Sequence, residues 1–307
     1  MQPRFELGTI ELIEFGVGLD DDAEGERYVL VPVDSDVQGA LREMVIATKD
    51  GLAEARQTSL AYDPAEKHAG RENLCLPLDD ELAANIRDIH SANNLEIEPG
   101  ALANPAKVFC YFARMRDSKG HRLTAIRRAT SFKGMLKSRF VQLLSDALRI
   151  VTEKLFKLDR DFDLLVDDAQ VLILRPSGFE YVGELEGEIR KAVPKNVKAI
   201  NRDLAFVDFA GIESYAAAHS RAARTLASIR GQRNKNIDPG KLKKACEHFG
   251  VKLKTAGGKL VVEPSSIMNF LNVLDRRLYQ VELIKDEPEL FLAESRSPIR
   301  RPGGAAT

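Results

Sequence analysis

The chain has 307 residues, with 44% hydrophobic and 30% charged side chains, so it can bury a core and is not disordered as a whole. Its length allows one large domain or two ordinary ones. Lys and Arg number 45 against 46 Asp and Glu, but this near-neutrality hides a strong asymmetry. Residues 1–105 hold 8 Lys/Arg against 22 Asp/Glu, and residues 106–307 hold 37 against 24. Such a division points to an anionic partner for the basic part, or to an acidic part that covers it.

Trp is absent, which weakly disfavours aromatic cages and base-stacking platforms. Cys75, Cys110 and Cys246 lie far apart, with no metal-knuckle or redox spacing, and read as reduced, buried thiols. The first eight residues include Glu6 and lack an apolar run, so a signal peptide is not expected. No apolar stretch approaches the roughly 18 residues that span a bilayer. The expected location is cytoplasmic; if the protein works at the inner membrane, a partner takes it there.

Residues 4–15 and 27–33 are β-rich and read as strands around the acidic loop Asp20 to Glu26. Ser35 is placed to cap a helix through about Glu54. Leu74 to Leu78 reads as a short strand, and Asp79 or Asp80 caps a helix through about His90. Two prolines, a glycine and three asparagines in residues 93–106 mark a boundary, where the charge also changes sign.

Beyond it, Lys107 to Arg116 and His121 to Thr130 form a hairpin about the turn Asp117–Gly120. Residues 133–149 are expected to be helical. Phe162 to Val166 and Gln170 to Leu174 make a second hairpin, turning at Asp167-Asp168. Phe179 to Val182 starts a short helix or turn. Residues 183–200 and 212–230 read as helices, the first interrupted near Pro194. Asp238-Pro239 starts a helix that ends at Gly250. A third hairpin turns at Gly257-Gly258, followed by a helix from about Pro264 to Arg277 and a strand from Tyr279 to Ile284. The tail 298–307 is expected to be disordered. The fold class is mixed α/β (α+β): an acidic region 1–105 packed on a larger basic domain 106–297.

The basic residues form two blocks. Residues 106–143 hold ten Lys/Arg and one acid, Asp117. Residues 188–260 hold 16 Lys/Arg against 6 Asp/Glu. Cations held on a surface release the counterions condensed on a polyphosphate. The residues nominated for nucleic-acid contact are Arg114, Arg116, Lys119, Arg122, Arg127, Arg128, Lys133, Lys137, Arg139, Lys241, Lys243 and Lys244. The alternative is a solvated face balanced by the N-terminal acids, or a surface for anionic lipid or an acidic protein. The order helix, hairpin, helix over 238–277 has the outline of a winged arrangement, which is common in α/β proteins.

No other constellation carries chemistry. Asp159, Asp161, Asp163, Asp167 and Asp168 could serve a metal-dependent nuclease, which needs carboxylates converging on a cation. However, Asp167 and Asp168 fall in a turn, where Asp bonds the local backbone. Cys246 and His248 sit two apart on a helix and cannot face each other. His219, one turn after Tyr215, reads as a satisfied histidine. Gly16-Val17-Gly18 begins like a phosphate loop but leads into three aspartates with no Lys-Ser/Thr after it. No cofactor or metal is assigned.

Several segments resemble the KwaB-like proteins of the Kiwa anti-phage defence system. They are Leu155-Phe156-Lys157-Leu158-Asp159, the run Phe162 to Asp168, Val171-Leu172-Ile173-Leu174 and the pair Phe179-Glu180. Phe270 to Asp275 and Leu278-Tyr279-Gln280-Val281 fit that family's closing helix and strand. The resemblance covers roughly the last 150 to 190 residues, and its motifs speak for fold more than for chemistry. It implies a cytoplasmic effector that binds DNA, self-associates and works beside a membrane-embedded KwaA-like partner; the partners expected are double-stranded DNA and further copies of the chain, as a homodimer or higher homo-oligomer. It supplies no catalytic residue. The expected role is to occupy phage DNA and hinder its replication or transcription; the alternatives are a nuclease built on Asp163 and a non-enzymatic scaffold.

Overall fold

A computed structural model describes residues 5–21, 25–54, 60–68, 73–104, 107–130, 141–144, 147–150, 156–232, 234–284 and 287–293. Two compact units are present, one of Met1–Tyr62 with His68–Leu185, the other of Asp63–Lys67 with Glu186–Thr307. The expected boundary near residue 105 separates charge rather than structure, because one sheet runs across it.

In the first unit, eight strands form that sheet among the described residues: β1 (Ile10–Asp21), β2 (Gly25–Val31), β3 (Leu60–Ala61), β4 (Leu74–Pro77), β5 (Val108–Asp117), β6 (Arg122–Arg128), β9 (Leu164–Val166) and β10 (Gln170–Ile173). A separate small hairpin joins β7 (Val141–Leu144) to β8 (Ala147–Ile150). The order in the sheet is β2-β1-β5-β6-β9-β10-β4-β3, antiparallel apart from β3 with β4. The acidic strand β1 therefore lies against the basic hairpin β5–β6, with Glu14 opposite Arg114.

Helices cover both faces of this sheet. α1 (Ser35–Glu54) packs Leu41, Met44, Val45 and Leu52 against Phe15, Val17, Tyr111 and Met115. On the other face, α2 (Ala84–Ser91) brings Ile86 and Ile89, and α3 (Pro176–Val182) brings Phe179 and Val182, against Phe112, Ile126, Leu164 and Val166. Burial on both sides explains why β5 begins as an unbroken apolar run rather than an alternation. Each such side chain contributes about 1.5–3 kcal/mol. Gly16 and Gly18 are strand residues: a Cβ on Gly16 would stand 2.2 Å from the Phe112 ring, and one on Gly18 2.6 Å from Cys110 Sγ. Their glycines make room for β5 side chains, not for a phosphate.

The cap of α1 is Asp34, whose Oδ1 accepts the Val37 N–H at 2.9 Å, rather than Ser35. Asp80 accepts the Leu82 N–H at 2.9 Å and opens the short turn before α2. The helix expected over 133–149 is corrected: residues 141–150 hold β7 and β8, two short strands, and 133–140 lie outside the described residues.

The second unit is mainly helical. It holds α4 (Glu186–Lys191), α5 (Val193–Asp203), α6 (Ala210–Ala218), α7 (Ser220–Arg230), α8 (Pro239–His248) and α9 (Ile267–Leu274). Ile200, Leu204, Ile212, Leu226, Cys246, Phe270 and Leu271 meet in one core. The single helix expected over 212–230 is two, because His219 is extended at φ −131° and ψ 105°. β11 (Val207–Asp208) pairs parallel with β13 (Lys259–Val262), which pairs antiparallel with β12 (Leu253–Ala256). The hairpin turn is Gly257-Gly258, both at positive φ, where glycine carries no Cβ penalty. Helix, hairpin and helix follow in the expected order. A ribbon of β14 (Leu278–Ile284) and β15 (Glu287–Leu292) closes the described chain, adding a strand that the sequence did not reveal. The tail 298–307 is outside the described residues.

Candidate nucleic-acid interface

Asp159, Asp161 and Asp163 lie on the segment leading into β9, which bends at Arg160, Asp161 and Asp163. They meet Arg127, which stands on β6 in cross-strand register with Tyr111. Arg127 Nη1 donates to Asp161 Oδ1 at 3.1 Å and to Asp163 Oδ1 at 3.0 Å, and its Nε donates to Asp159 Oδ2 at 3.3 Å. Arg175 Nη2 donates to Asp161 Oδ2 at 2.7 Å, and its Nη1 donates to the Phe162 carbonyl at 3.0 Å. Lys157 Nζ lies 2.6 Å from Asp159. The Tyr111 hydroxyl accepts the Asp159 N–H at 3.0 Å.

Asp163 is the hub. It is 3% exposed, and its Oδ2 accepts the Arg128 N–H at 2.9 Å. Its backbone carbonyl accepts the Leu174 and Arg175 N–H groups at 2.8 and 3.0 Å, just before α3. A Cβ at Gly178 would lie 2.2 Å from Asp163 Oδ2, so the helix approaches this closely only through a glycine. Burial pushes the Asp163 carboxyl up, against the Arg128 N–H and the Arg127 and Arg175 charges. For Asp159, burial is outweighed by Lys157 and Arg127, which hold it below the usual carboxylate range. The nuclease reading needs these carboxylates for a cation; here they are committed to guanidiniums. Among the described residues, no three His, Cys, Asp or Glu side chains come together to hold a metal.

The basic residues nominated on the β5–β6 hairpin do not share one face. Arg114, Arg116, Arg122 and Arg128 occupy one face of β5–β6, since cross-strand partners point the same way. Buried Thr124 and Ile126 separate Arg122 from Arg128 on that face. Arg114 binds Glu14 at 2.8 Å and donates to the Ala92 carbonyl at the end of α2. Lys119 meets Glu6 at 2.6 Å, and Arg122 meets Asp168 at 3.5 Å. Arg127 belongs to the opposite face and is only 14% exposed, locked by the aspartates. Arg116 is exposed without an ion-pair partner among the described residues. Lys133, Lys137 and Arg139 lie outside the described residues.

Lys241, Lys243 and Lys244 are exposed on α8, while Leu242 and Cys246 face the core. The Asp238 carboxylate accepts the Lys241 N–H at 2.7 Å and caps the helix as expected. Lys243 lies 3.9 Å from Glu247. Lys241 and Lys244, three apart and so on one helix face, have no ion-pair partner among the described residues. Lys254 and Lys259 lie on the outer face of β12–β13, in register with Val261 and Ala256, and Lys254 binds Glu263 at 2.8 Å.

Other sequence candidates are structural. Asp167 accepts the Ala169 and Gln170 N–H groups at 2.9 Å, as turn chemistry predicts. His219 stacks on Tyr215 with ring centroids 4.2 Å apart. Cys110 and Cys246 are buried and Cys75 half-buried; burial pushes the Cys246 thiol up to about 12. His90, a residue that sequence reasoning passed over, is buried between Thr124 Oγ1 at 2.8 Å and Asp168 Oδ1 at 3.3 Å, and burial holds its pKa down. Tyr181 was also missed. Its ring lies under the Arg128 guanidinium, 3.8 Å from Cζ to centroid. The only sequence signal is helical spacing, which turns Phe179 and Val182 inward and Tyr181 outward.

No helix among the described residues is long and apolar enough to cross a membrane. No curated protein and no solved structure gives a significant match to the chain. Residues 107–283 match the family model described as Kiwa protein KwaB-like, a span that holds the β5–β6 hairpin, the aspartate hub, α8 and all but the last residue of β14. The chain therefore belongs to the KwaB-like family, and with it to Kiwa anti-phage defence.

Proposed function

We propose that the protein is the DNA-binding effector of its defence system, holding phage DNA by its phosphates and hindering replication or transcription. The observation that carries this reading is the face of α8 with Lys241 and Lys244, exposed and without an ion-pair partner among the described residues. Lysines so placed are hydrated point charges available to a polyphosphate, whereas three of the five arginines nominated on β5–β6, Arg114, Arg122 and Arg127, are held by carboxylates of their own unit. Lys254 and Lys259 on the following hairpin extend the same basic segment. Such binding reads charge more than sequence. A KwaA-like membrane protein would bring the effector to the membrane, and self-association would multiply its phosphate contacts.

The test is binding of purified protein to labelled double-stranded DNA across a salt series, with and without Mg²⁺. Affinity should fall linearly with salt on logarithmic axes, each phosphate contact adding about 0.9 to the slope. No binding at about 50 mM salt would overturn the proposal. Shortened DNA in the Mg²⁺ lanes would move the reading to a nuclease.

A further inference from the structure

Arg128 and Tyr181 sit together at the surface of the first unit, both exposed, Tyr181 to 43%. Arg128 Cζ stands 3.8 Å from the centroid of the tyrosine ring. Unlike Arg127 beside it, the Arg128 guanidinium has no ion-pair partner among the described residues. Its position is nevertheless fixed from behind. The backbone N–H of Arg128 is held by the buried Asp163 carboxylate, and Gly178, three residues before Tyr181, packs on that same carboxylate. One buried group thus pins both the strand that carries the guanidinium and the helix that carries the ring.

We propose that Arg128 and Tyr181 form a stacking platform for one unpaired nucleobase, so that this site prefers single-stranded to duplex DNA. The inference rests on the reading that the protein binds DNA. A guanidinium layered on an aromatic ring presents a rigid cationic plane, and unstacked bases bind such planes with little regard to sequence. In a duplex the base faces are already occupied by their neighbours. A phosphate contact needs only charge and accepts lysine; a platform needs a plane and does not.

The chain contains no Trp, so Tyr181→Trp places a single indole reporter in the platform. The full chain is titrated with an oligothymidylate of about 12 nucleotides, a length within the range of single-strand sites, and with a duplex of equal length. The expected result is quenching of the indole by the single strand and none by the duplex. Tyr181→Ala and Arg128→Lys should each weaken single-strand binding about fivefold or more, with duplex affinity little changed, while Tyr181→Phe stays near the parent. Single-strand binding with unchanged emission, and parental affinity in Tyr181→Ala and Arg128→Lys, overturns the platform and leaves phosphate binding standing. Failure to bind either form of DNA overturns the platform together with the reading beneath it. Thermal midpoints are measured alongside; if Tyr181→Ala does not fold, Arg128→Lys and the indole reporter decide.

Discussion

The sheet unit and the helical unit engage their nominated cations to different degrees: Arg114, Lys119, Arg122 and Arg127 are ion-paired in the first, whereas on α8 only Lys243 is, among the described residues. In the first unit, Arg127 and Arg175 share Asp161 and Asp163, Arg127 also holds Asp159, and Arg114 is bound by Glu14. In the helical unit, Lys241 and Lys244 extend from α8 without an acid to meet them among the described residues. The planar fork of arginine suits two carboxylate oxygens at once, while lysine keeps a compact, hydrated charge on a flexible stem. A count of basic residues therefore overstates the charge that the sheet offers to a ligand. Part of the acidic excess before residue 105 is answered by the β5–β6 hairpin, through Glu14 with Arg114 and Glu6 with Lys119.

The largest test of this contrast is Asp163→Ala. It leaves two guanidiniums facing a buried void, and loss of one partner from a buried pair costs about 3–5 kcal/mol. Urea unfolding should show the midpoint falling accordingly. An unchanged midpoint would mean that the sheet arginines are not locked, and the contrast would fail. Arg127→Lys keeps the charge but loses the fork that reaches three carboxylates, and should lose roughly 1–3 kcal/mol by the same measurement.

The double variant Lys241→Ala/Lys244→Ala should alter stability by no more than about 0.5 kcal/mol. Its effect belongs to DNA, where the slope of log affinity on log salt should shrink by about 2. An unaltered slope would move the phosphate contacts off α8. A smaller effect sharpens the contrast from the acidic side. Partial desolvation of the otherwise exposed Glu26, with Glu184 next in importance, raises its carboxyl to about 7. A carboxyl raised on folding adds stability that is complete below its unfolded value of about 4.5 and is lost as pH climbs through about 7. Glu26→Gln should flatten that decline in thermal midpoints followed from about pH 5 to pH 8.

Much of the fold was legible because it is local. The hairpins at Asp117–Gly120 and Gly257-Gly258 and the cap at Asp238 all declare themselves within a few residues. What failed is what local pattern does not carry. The pairing of β1 with β5 joins residues about a hundred positions apart, so the change of composition near residue 105 passed for a structural border. The alanine-rich run 212–230 has helical propensity throughout and gives no sign of its break at His219. β7 and β8 were read as helix, and β15 escaped notice beyond the strand it pairs with. In the candidate site, the sequence supplied Arg127, Arg128 and the aspartates but not their pairing. The chain bends at Arg160, Asp161 and Asp163, so the i, i+2 spacing of the aspartates does not by itself announce that they converge. Tyr181 had only its outward helical phase.

Gly178 carries a consequence for how this chain can vary. No side chain larger than hydrogen fits between α3 and the Asp163 carboxylate, and shortening that carboxylate to create space would strand Arg127 and Arg175. Single steps away from this arrangement are therefore closed, and position 178 should emerge from a saturation library as glycine alone. The residues around it can drift only as a set, so the most constrained stretch of the lineage should be a small buried knot of opposite charges, while the exposed lysines of α8 exchange among cations with little penalty.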